Sequence, residues 1–325
     1  MRLYTILQLG VLLSIALVIF YLYSIRLIIT TDNLEDDFEE LEEDEVTTER
    51  IYFKQTDIVV AVVACGDRLF ETLNMLKSAL MFSKEKLNFV IVAEERLIDS
   101  FNEKNLLENV DSILYMDTDT LFLTPVEAVW GHFHRFNSSQ MAALAPEHED
   151  PNVGWYNRFA KHPYYGKLGV NSGVMLMNLT RMRAFQWKEY VVPIYKKYKH
   201  KITWGDQDII NIIFHYHPDK LYIYSCRFNY RPDHCMYTSV CKPAETEGVA
   251  VIHGSRGFFH SEKQPIFQAV YKSFEEFQLG GDIYRDFYQP LEVYLESAQN
   301  NNCGNIKDVF LKNIRNYMDL EFNAK

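Results

Sequence analysis

The chain of 325 residues lacks the excess of basic side chains that nucleic-acid-binding domains carry. It has 33 Lys and Arg against 44 Asp and Glu, and its formal net charge is −11. The negative charge is local, because residues 32–49 hold 11 acidic side chains and no basic one, and the remaining acids and bases are equal in number. Since phosphate neutralisation needs a basic surface, the composition argues against binding to DNA or RNA.

Cysteine is also scarce, and no pair has the C-x-x-C spacing of zinc-binding motifs. The five cysteines are Cys65, Cys226, Cys235, Cys241 and Cys303. They are either inert core residues or partly disulfide-bonded, and their odd number leaves one thiol without an internal partner. No zinc site is predicted, and the sequence contains no internal repeat.

The apolar N-terminal segment lacks the small residues of a signal-peptidase site. Residues 6–25 carry no charge, and a membrane-spanning helix needs about 20 such residues. Bulky side chains occupy the place of a cleavage site, namely Tyr21, Leu22, Tyr23 and Ile25. The segment therefore predicts a retained signal anchor and not a cleaved peptide.

The predicted anchor divides the chain into four parts. These are a cytoplasmic tail (1–5), a transmembrane segment (6–25), an acidic luminal stem (26–55) and one large domain (56–325). The domain contains two N-x-S/T triplets, at Asn137 and Asn178, which are acceptors for N-glycosylation. We therefore expect a single-pass type II protein of the Golgi or endoplasmic-reticulum membrane, with the domain in the lumen.

The domain begins with strand and helix patterns in alternation. Residues 57–68, 88–93 and 112–116 are apolar runs typical of buried strands. Leucines at helical spacing from Leu69 follow the first run, and a helical stretch from about Glu95 to Leu107 follows the second. This order predicts an α/β fold with a mostly parallel sheet flanked by helices.

Two carboxylates, Asp117 and Asp119, end the third run, where an unpaired buried charge would be very costly. Because ligands bind beyond the C-terminal ends of parallel strands, both side chains should face a crevice. There they can hold one hard cation such as Mn²⁺ or Mg²⁺. A D-x-D sequence alone is also compatible with a solvated turn.

Three further segments add polar residues. Asn171, Ser172 and Gly173 are predicted to form a polar turn before the apolar residues 174–177. Residues 206–208, Asp-Gln-Asp, begin an amphipathic helix. His253 ends a fourth apolar run and is followed by glycines and by Lys263.

Together these segments resemble the glucoside xylosyltransferases, a subfamily of the retaining GT-A enzymes of glycosyltransferase family 8. The sequences that carry the resemblance are PEHEDPNVGWYNRFAKHPYYGKLGVNSGVMLMNLTRMR, ITWGDQDIINIIF, NYRPDHCMY and HGSRGFFHSEKQP. The resemblance extends from about residue 57 to residue 325, and it implies a GT-A (Rossmann-like) catalytic domain.

The resemblance implies a metal site and a UDP-sugar site. Asp117, Asp119 and His253 would bind Mn²⁺, or alternatively Mg²⁺, at the diphosphate of UDP-xylose. Lys263 would add positive charge there, and the backbone at Gly254 would approach the diphosphate closely.

Other residues would hold the nucleoside and the two sugars. The uridine would lie against the turn that contains Val63, Cys65, Asp67 and Arg68. The sugar side would be lined by Asn171, Ser172 and Gly173, with Asp206 and Gln207 as catalytic residues. The acceptor would contact Trp155, Tyr156, Arg158 and Trp204. Capping of the helix N-terminus is an alternative role for Gln207 and Asp206.

The implied reaction is α-1,3-transfer of xylose to O-linked glucose on EGF-like repeats of glycoproteins such as Notch-type receptors. Because Gln207 is a poor nucleophile, the family resemblance favours front-side attack over a covalent sugar intermediate. The alternatives are a weak or inactive relative that binds UDP-sugar or glycoprotein, and a family-8 transferase that uses another UDP-hexose.

The sequence departs from the subfamily between Ala93 and Asp111, an interval of only 19 residues. The subfamily has several dozen more residues there, including an F-K-P-C-A-x-x-R-L-F-L-P helix with basic residues and one cysteine. A short helix suffices to connect two parallel strands, so we expect the fold to be kept and the activity to be reduced.

Overall fold

The computed structural model describes residues 57–93, 109–298 and 301–323 of the chain. The strands in chain order are β1 (Ile58–Ala64), β2 (Leu87–Ala93), β3 (Ser112–Met116), β4 (Thr120–Phe122), β5 (Ala142–Pro146), β6 (Val170–Asn178), β7 (Leu221–Ile223) and β8 (Val251–His253). Six of them form a central sheet in the order β2-β1-β3-β6-β5-β7. The other two, β4 and β8, form a separate antiparallel pair.

Helices flank the sheet and build the C-terminal part. They are α1 (Leu69–Phe82), α2 (Val126–Trp130), α3 (Trp155–Phe159), α4 (Leu179–Ala184), α5 (Trp187–Tyr198), α6 (Asp206–Tyr216), α7 (Lys242–Glu247), α8 (Pro265–Glu276), α9 (Gln289–Ser297) and α10 (Lys312–Asn323). A 3₁₀ helix (Gly131–Arg135) follows α2, and a second one (Gly304–Phe310) precedes α10.

The central sheet is parallel except at one strand. Strand β1 pairs in parallel with β2 and β3, and β5 pairs in parallel with β7, whereas β6 runs antiparallel to both of its neighbours. Pro146 at the end of β5 is paired with Val170 at the start of β6. The segment between them therefore starts and ends at one edge of the sheet, which reverses the chain direction. The predicted mostly parallel α/β sheet is confirmed, with β6 as the exception.

The first three strands form where the sequence predicts them because they are buried. Val60 of β1, Met75 of α1 and Leu114 of β3 are fully buried and belong to one apolar cluster between the sheet and α1. Val63, near the end of β1, is 42% exposed, so the strand leaves the core at its C-terminal end. This is the edge at which the carboxylates after β3 also emerge.

A second core, rich in aromatic side chains, joins the C-terminal helices to β4 and β8. Two disulfides lie within it, Cys226–Cys241 and Cys235–Cys303. The second one ties the segment before β8 to the region after α9. Cys65 is free and exposed, which confirms that one thiol has no internal partner.

One local prediction is wrong, and others are not covered by the structure. Residues 171–173 do not form a turn but lie inside β6, because partners from other elements satisfy their polar groups. The predicted tail (1–5), anchor (6–25), stem (26–55) and helix at 95–107 lie outside the described residues. Among the helices of the described part, none has the length and apolar character needed to cross a bilayer.

Candidate active site

Three potential metal ligands converge where β3 ends. Asp117 and Asp119 lie just after β3, and His253 is the last residue of β8. The Nε2 atom of His253 is 3.2 Å from Oδ1 of Asp119 and 3.7 Å from Oδ2 of Asp117. One ligand atom from each side chain lies within 4.8 Å of the other two. The structure thus brings together the residues predicted to bind a cation.

Pairing between β4 and β8 explains why ligands so distant in sequence meet. Thr120 is the partner of His253, and the N–H of Gly254 donates to the carbonyl of Asp119 at 2.8 Å. Strand β6 leaves room for the imidazole, since a Cβ atom on Gly173 would lie 2.3 Å from the His253 ring. A larger residue at position 173 would displace a metal ligand.

The two carboxylates differ in their electrostatic environment. Burial raises the pKa of Asp117, and the neighbouring His253 only partly opposes this effect. Burial also acts on Asp119, but His253 and Arg68 outweigh it and lower its pKa. The hydroxyl of Tyr115 donates to Oδ1 of Asp117 at 3.0 Å. Asp119 is therefore held as an anion, whereas a charged Asp117 calls for a cationic partner.

The donor set fits a hard divalent cation. Two carboxylate oxygens and one imidazole nitrogen are ligands that Mn²⁺ accepts, and carboxylate oxygens also suit Mg²⁺. The side chain of Asp117 is 34% exposed and that of His253 is 4% exposed. The cluster is therefore shielded from solvent at His253 and accessible to solvent at Asp117.

A pocket of about 210 Å³ opens beside the cluster. Its wall is formed by Asp117, Asp119, Glu147, Trp155, Asn171, Ser172, Trp204, Asp206, Gln207, Arg231, His253, Ser255 and Arg256. Most of these residues are among those predicted from the sequence. The D-x-D segment, the start of β6, the start of α6 and the end of β8 therefore meet in one polar space.

Gln207 lies in the first turn of α6, but its side chain does not cap the helix. Its Oε1 accepts hydrogen bonds from Nδ2 of Asn171 at 2.8 Å and from the N–H of Ser172 at 3.2 Å. Its Nε2 donates to the hydroxyl of Tyr156 at 3.2 Å. The capping alternative is therefore wrong for Gln207, because its amide connects α6 to β6. Asp206, the first residue of α6, lines the pocket.

A buried network that the sequence interpretation missed holds the start of α6 in place. Asp208 is fully buried and accepts hydrogen bonds from the N–H groups of Thr203 and Trp204, at 2.7 and 2.8 Å. The hydroxyl of Tyr156 donates to it at 2.8 Å. Burial opposes its charge, but the nearby ring of His162, with Nε2 3.3 Å from Oδ1, and the hydrogen bonds from these groups outweigh burial and lower its pKa. Asp208 directly follows the predicted site residues Asp206 and Gln207. Its structural role could not be predicted from the sequence, because it depends on Tyr156 and His162, which are distant in the chain.

The four predicted acceptor residues occupy different environments. Trp155 and Trp204 line the pocket, with ring centroids 5.6 Å apart. Tyr156 is 1% exposed, and its hydroxyl contacts the network below the pocket. Arg158 is exposed and lies over the ring of Phe159. Of these four, the structure brings only the two tryptophans to the pocket wall.

A buried ion pair in the pocket wall was also missed. Nη1 of Arg231 is 3.1 Å from Oε1 of Glu147, and Arg231 is only 4% exposed. Its Nε and Nη2 atoms have no hydrogen-bond partner within the part of the chain that the structure describes. Such N–H groups suit the oxygen atoms of a sugar or a phosphate. Both residues belong to segments that carry the family resemblance, which was the available signal.

The predicted uridine turn follows β1 at the same edge of the sheet. Cys65, Asp67 and Arg68 are exposed, and Gly66 has a φ of 62°, which allows the tight turn. Nη1 of Arg68 lies 2.5 Å from Oε2 of Glu71. These side chains are not part of the pocket wall, so their contact with a nucleoside stays a prediction.

Lys263 and Gly254 are the two residues predicted to add to the binding of the diphosphate. Lys263 is exposed in the loop before α8 and does not line the pocket, whereas Arg256 does. A Cβ atom on Gly254 would come within 2.4 Å of the Phe259 ring, so the close packing of this ring requires the glycine. Roles for Lys263 and Gly254 at a diphosphate remain predictions.

Comparison with known proteins places this site in a family. Residues 101–255 match the family model described as Glycosyl transferase family 8. The sequence is 44% identical over 309 residues to glucoside xylosyltransferase 1 of Gallus gallus, covering 79% of this chain and 71% of that protein. It is 46% identical over 316 residues to glucoside xylosyltransferase 2 of Mus musculus, covering 80% of this chain and 71% of that protein.

A solved structure supports the fold alone. The galactosyltransferase LgtC, crystallised with donor and acceptor sugar analogs, is 16% identical, with a TM-score of 0.50. The match covers 72% of this chain and 100% of LgtC. The sheet described above is thus a GT-A-like arrangement. From the sequence identity and coverage, the chain belongs to glycosyltransferase family 8, among the glucoside xylosyltransferases.

Proposed function

We propose that this protein is a retaining α-1,3-xylosyltransferase that uses UDP-xylose as donor and O-linked glucose on EGF-like repeats as acceptor. Relatives that are 44% and 46% identical carry the name glucoside xylosyltransferase. EGF-like repeats of glycoproteins, including Notch-type receptors, are the proposed partners on the strength of this resemblance.

The observation that carries the proposal is the cluster of Asp117, Asp119 and His253 at the pocket. These residues would hold Mn²⁺ or Mg²⁺, and the bound ion would supply positive charge to the departing diphosphate. Arg231 and Arg256 line the same pocket and add positive charge for an anionic donor. The site therefore combines the groups that a UDP-sugar requires.

The environment of Gln207 supports front-side attack. Its amide oxygen already accepts two hydrogen bonds, and a neutral amide is a poor nucleophile. Gln207 would therefore orient the donor sugar without forming a bond to it. The acceptor hydroxyl would then approach the face from which the diphosphate departs, which retains the configuration.

We also propose that the domain lies in the lumen of the Golgi or endoplasmic reticulum, behind the predicted type II anchor. Two disulfides suit an oxidising compartment. Asn137 is exposed in a loop and is available as a glycan acceptor.

A weaker or inactive relative is the second candidate, and one observation favours it. The alignment with the Gallus gallus relative is 309 positions long, but it includes only 79% of the 325 residues of this chain. The alignment is thus longer than the part of this chain that it contains. The aligned region of the relative therefore contains residues without a counterpart here. This agrees with the short interval between Ala93 and Asp111, next to β2.

A donor and acceptor panel tests these possibilities. The full chain in detergent would be incubated with Mn²⁺, one of several UDP-sugars, and an EGF-like repeat with or without O-glucose. We expect xylose to be transferred fastest, and only to the glucosylated repeat. Faster transfer of a hexose would replace the proposed donor. Binding of UDP without any transfer would favour the inactive relative.

A further inference from the structure

Three side-chain amides connect the metal cluster to the sugar side of the pocket. Oδ1 of Asn229 lies 2.8 Å from Nδ1 of His253, and its Nδ2 donates to Oδ1 of Asn171 at 2.7 Å. Nδ2 of Asn171 donates in turn to Oε1 of Gln207 at 2.8 Å. We call Asn229, Asn171 and Gln207 the amide row.

Backbone N–H groups fix the direction of the amide row. The N–H of Gly173 donates to Oδ1 of Asn171 at 3.1 Å, and the N–H of Ser172 donates to Oε1 of Gln207 at 3.2 Å. A backbone N–H can only donate, so an amide oxygen must face it. The oxygens of Asn171 and Gln207 therefore face these N–H groups, and the NH₂ group of Asn171 must point to Oε1 of Gln207. Because Oδ1 of Asn171 is an acceptor, Asn229 must present its NH₂ group to it.

The far end of the row has the same polarity. Nε2 of Gln207 donates to the hydroxyl of Tyr156, and that hydroxyl donates to Oδ1 of Asp208 at 2.8 Å. The carboxylate of Asp208 is an acceptor, because two backbone N–H groups hold it as an anion. The hydroxyl must therefore accept from Gln207. Rotating any amide of the row by 180° would place two acceptors or two donors opposite each other.

This direction determines the state of the imidazole. Asn229 is fully buried and uses its NH₂ group on Asn171, so only its oxygen faces Nδ1 of His253. An oxygen cannot donate, so Nδ1 must carry the proton. With Nδ1 protonated, Nε2 is the ring nitrogen that can offer its lone pair to a cation, and it lies 3.2 Å from Oδ1 of Asp119.

We propose that Asn229 is a positioning residue that, through the amide row, fixes the Nδ1–H tautomer of His253 and so presents Nε2 to a divalent cation. An outer hydrogen-bond partner of a metal-binding histidine commonly has this effect. Here the partner is a neutral amide, so it orients the ring without adding a negative charge beside the site of an anionic donor. The row also links the position of a metal ligand to that of Gln207.

The inference rests on the proposed metal-dependent function, but it can be tested without donor or acceptor. The first measurement is the tautomer of His253 in the metal-free full chain, in a pH series that is continued upward until the ring carries a single proton. Long-range ¹H–¹⁵N correlation spectra distinguish the two tautomers, and loss of one of the ten histidine signals in His253→Gln assigns the ring. The Nδ1–H form supports the proposal, and the Nε2–H form overturns it.

The second measurement is Mn²⁺ affinity by calorimetry. Asn229→Leu has a similar size but no hydrogen bonds, and we expect roughly 10- to 100-fold weaker binding. Asn229→Asp keeps an oxygen opposite Nδ1, so it should retain the tautomer and bind Mn²⁺ better than Asn229→Leu. Asn88→Leu places the same residue at a buried asparagine of β2, away from the site, and should bind Mn²⁺ like the wild type.

The outcomes separate this inference from the proposed function. If Asn229→Leu binds Mn²⁺ as tightly as the wild type, or if both Asn229 variants lose affinity equally, the tautomer-fixing role is overturned. If Asn229→Leu does not fold, the tautomer of the wild-type protein still decides. A correct tautomer and Mn²⁺ binding, together with failure of xylose transfer, would overturn the proposed function alone.

Discussion

At the residue scale, the paired carboxylates after β3 are not equivalent. Asp119 is ionised with support from His253 and Arg68, whereas burial disfavours the charge on Asp117. Asp119 is thus the ligand that is already charged before a cation arrives. The difference was not predictable from the D-x-D sequence, because it depends on Arg68 and on residues of β8.

The first prediction concerns Asp119. Asp119→Asn should abolish Mn²⁺-dependent xylose transfer, with a loss on the order of a thousandfold, because it removes a ligand to the charge that stabilises the leaving diphosphate. The fold should persist, since the side chain faces the pocket. Turnover with and without chelator and thermal unfolding of both proteins would be compared. Wild-type turnover that is undiminished in excess chelator would contradict the metal site.

The second prediction concerns His132, which is buried against the rings of Tyr222, Tyr224 and Phe228. Burial, followed by the charges of Arg135 and Arg227, lowers its pKa from 6.5 to about 4. The unfolded chain therefore takes up a proton near pH 6.5, whereas the folded protein does so only near pH 4. The contribution of neutral His132 to the free energy of unfolding is therefore complete above pH 6.5 and is lost as the pH falls toward 4.

The measurement is the free energy of unfolding as a function of pH for the wild type and His132→Phe. The phenylalanine occupies similar space and does not titrate. Between pH 7 and pH 4 the wild type should lose about 3 kcal/mol more than the variant. Parallel pH profiles would show that the His132 pKa is not lowered.

At the scale of elements, the sequence predicted best what depends on continuous apolar runs. Strands β1, β2 and β3 form as expected because their side chains enter a common core. The turn predicted at residues 171–173 is wrong. It was expected because the sequence Asn-Ser-Gly is typical of a loop. In the structure Asn171 is satisfied by Gln207 and Asn229, and Gly173 is needed by His253. Partners that lie dozens of residues away decide this case, and local patterns do not contain them.

The third prediction concerns the disulfide Cys226–Cys241, which closes a loop with a sequence separation of 15. Replacing both cysteines by alanine should lower the free energy of unfolding by about 3 kcal/mol, because the unfolded chain gains conformational freedom. Cys65→Ala is the matched control, since this thiol is free and exposed, and it should leave stability unchanged. Denaturant titrations under non-reducing conditions would measure both. Equal stability of the double variant and the control would contradict a structural role for this disulfide.

At the scale of the whole molecule, the predicted topology places the domain in an oxidising lumen. The two glycosylation triplets differ in their surroundings. Asn137 is exposed, whereas Asn178 is half-buried, and its Oδ1 accepts from the N–H of Arg181 at the start of α4. Asn137 is therefore the better placed acceptor.

The fourth prediction follows from this difference. The protein expressed in animal cells should carry a glycan at Asn137, and glycosidase treatment should increase its gel mobility. Asn137→Gln should remove a glycan shift, whereas Asn152→Gln should not, because Asn152 is exposed but lies outside an N-x-S/T triplet. Unchanged mobility after glycosidase, together with digestion of the domain by protease added from the cytosolic side, would contradict the luminal topology.

The fifth prediction concerns the short interval between Ala93 and Asp111. The metal ligands and the amide row are all present, so Mn²⁺ and UDP should bind to the chain as it stands. The family resemblance implies that the missing segment carries basic groups, and such groups would stabilise negative charge as it develops in the transition state. Loss of one such group typically costs about 3 to 4 kcal/mol. Entry of water at the same place would weaken the remaining electrostatic contacts and favour hydrolysis of the donor over transfer.

The comparison that checks it is between this chain and a variant with the relative's segment grafted between Leu97 and Leu107. The graft should transfer xylose faster and should lower the ratio of donor hydrolysis to transfer. A graft of equal length made of Gly and Ser is the control, because it restores the length but not the basic groups. If all three proteins transfer at equal rates with equal hydrolysis, the segment is dispensable, and the metal cluster with the amide row suffices for activity.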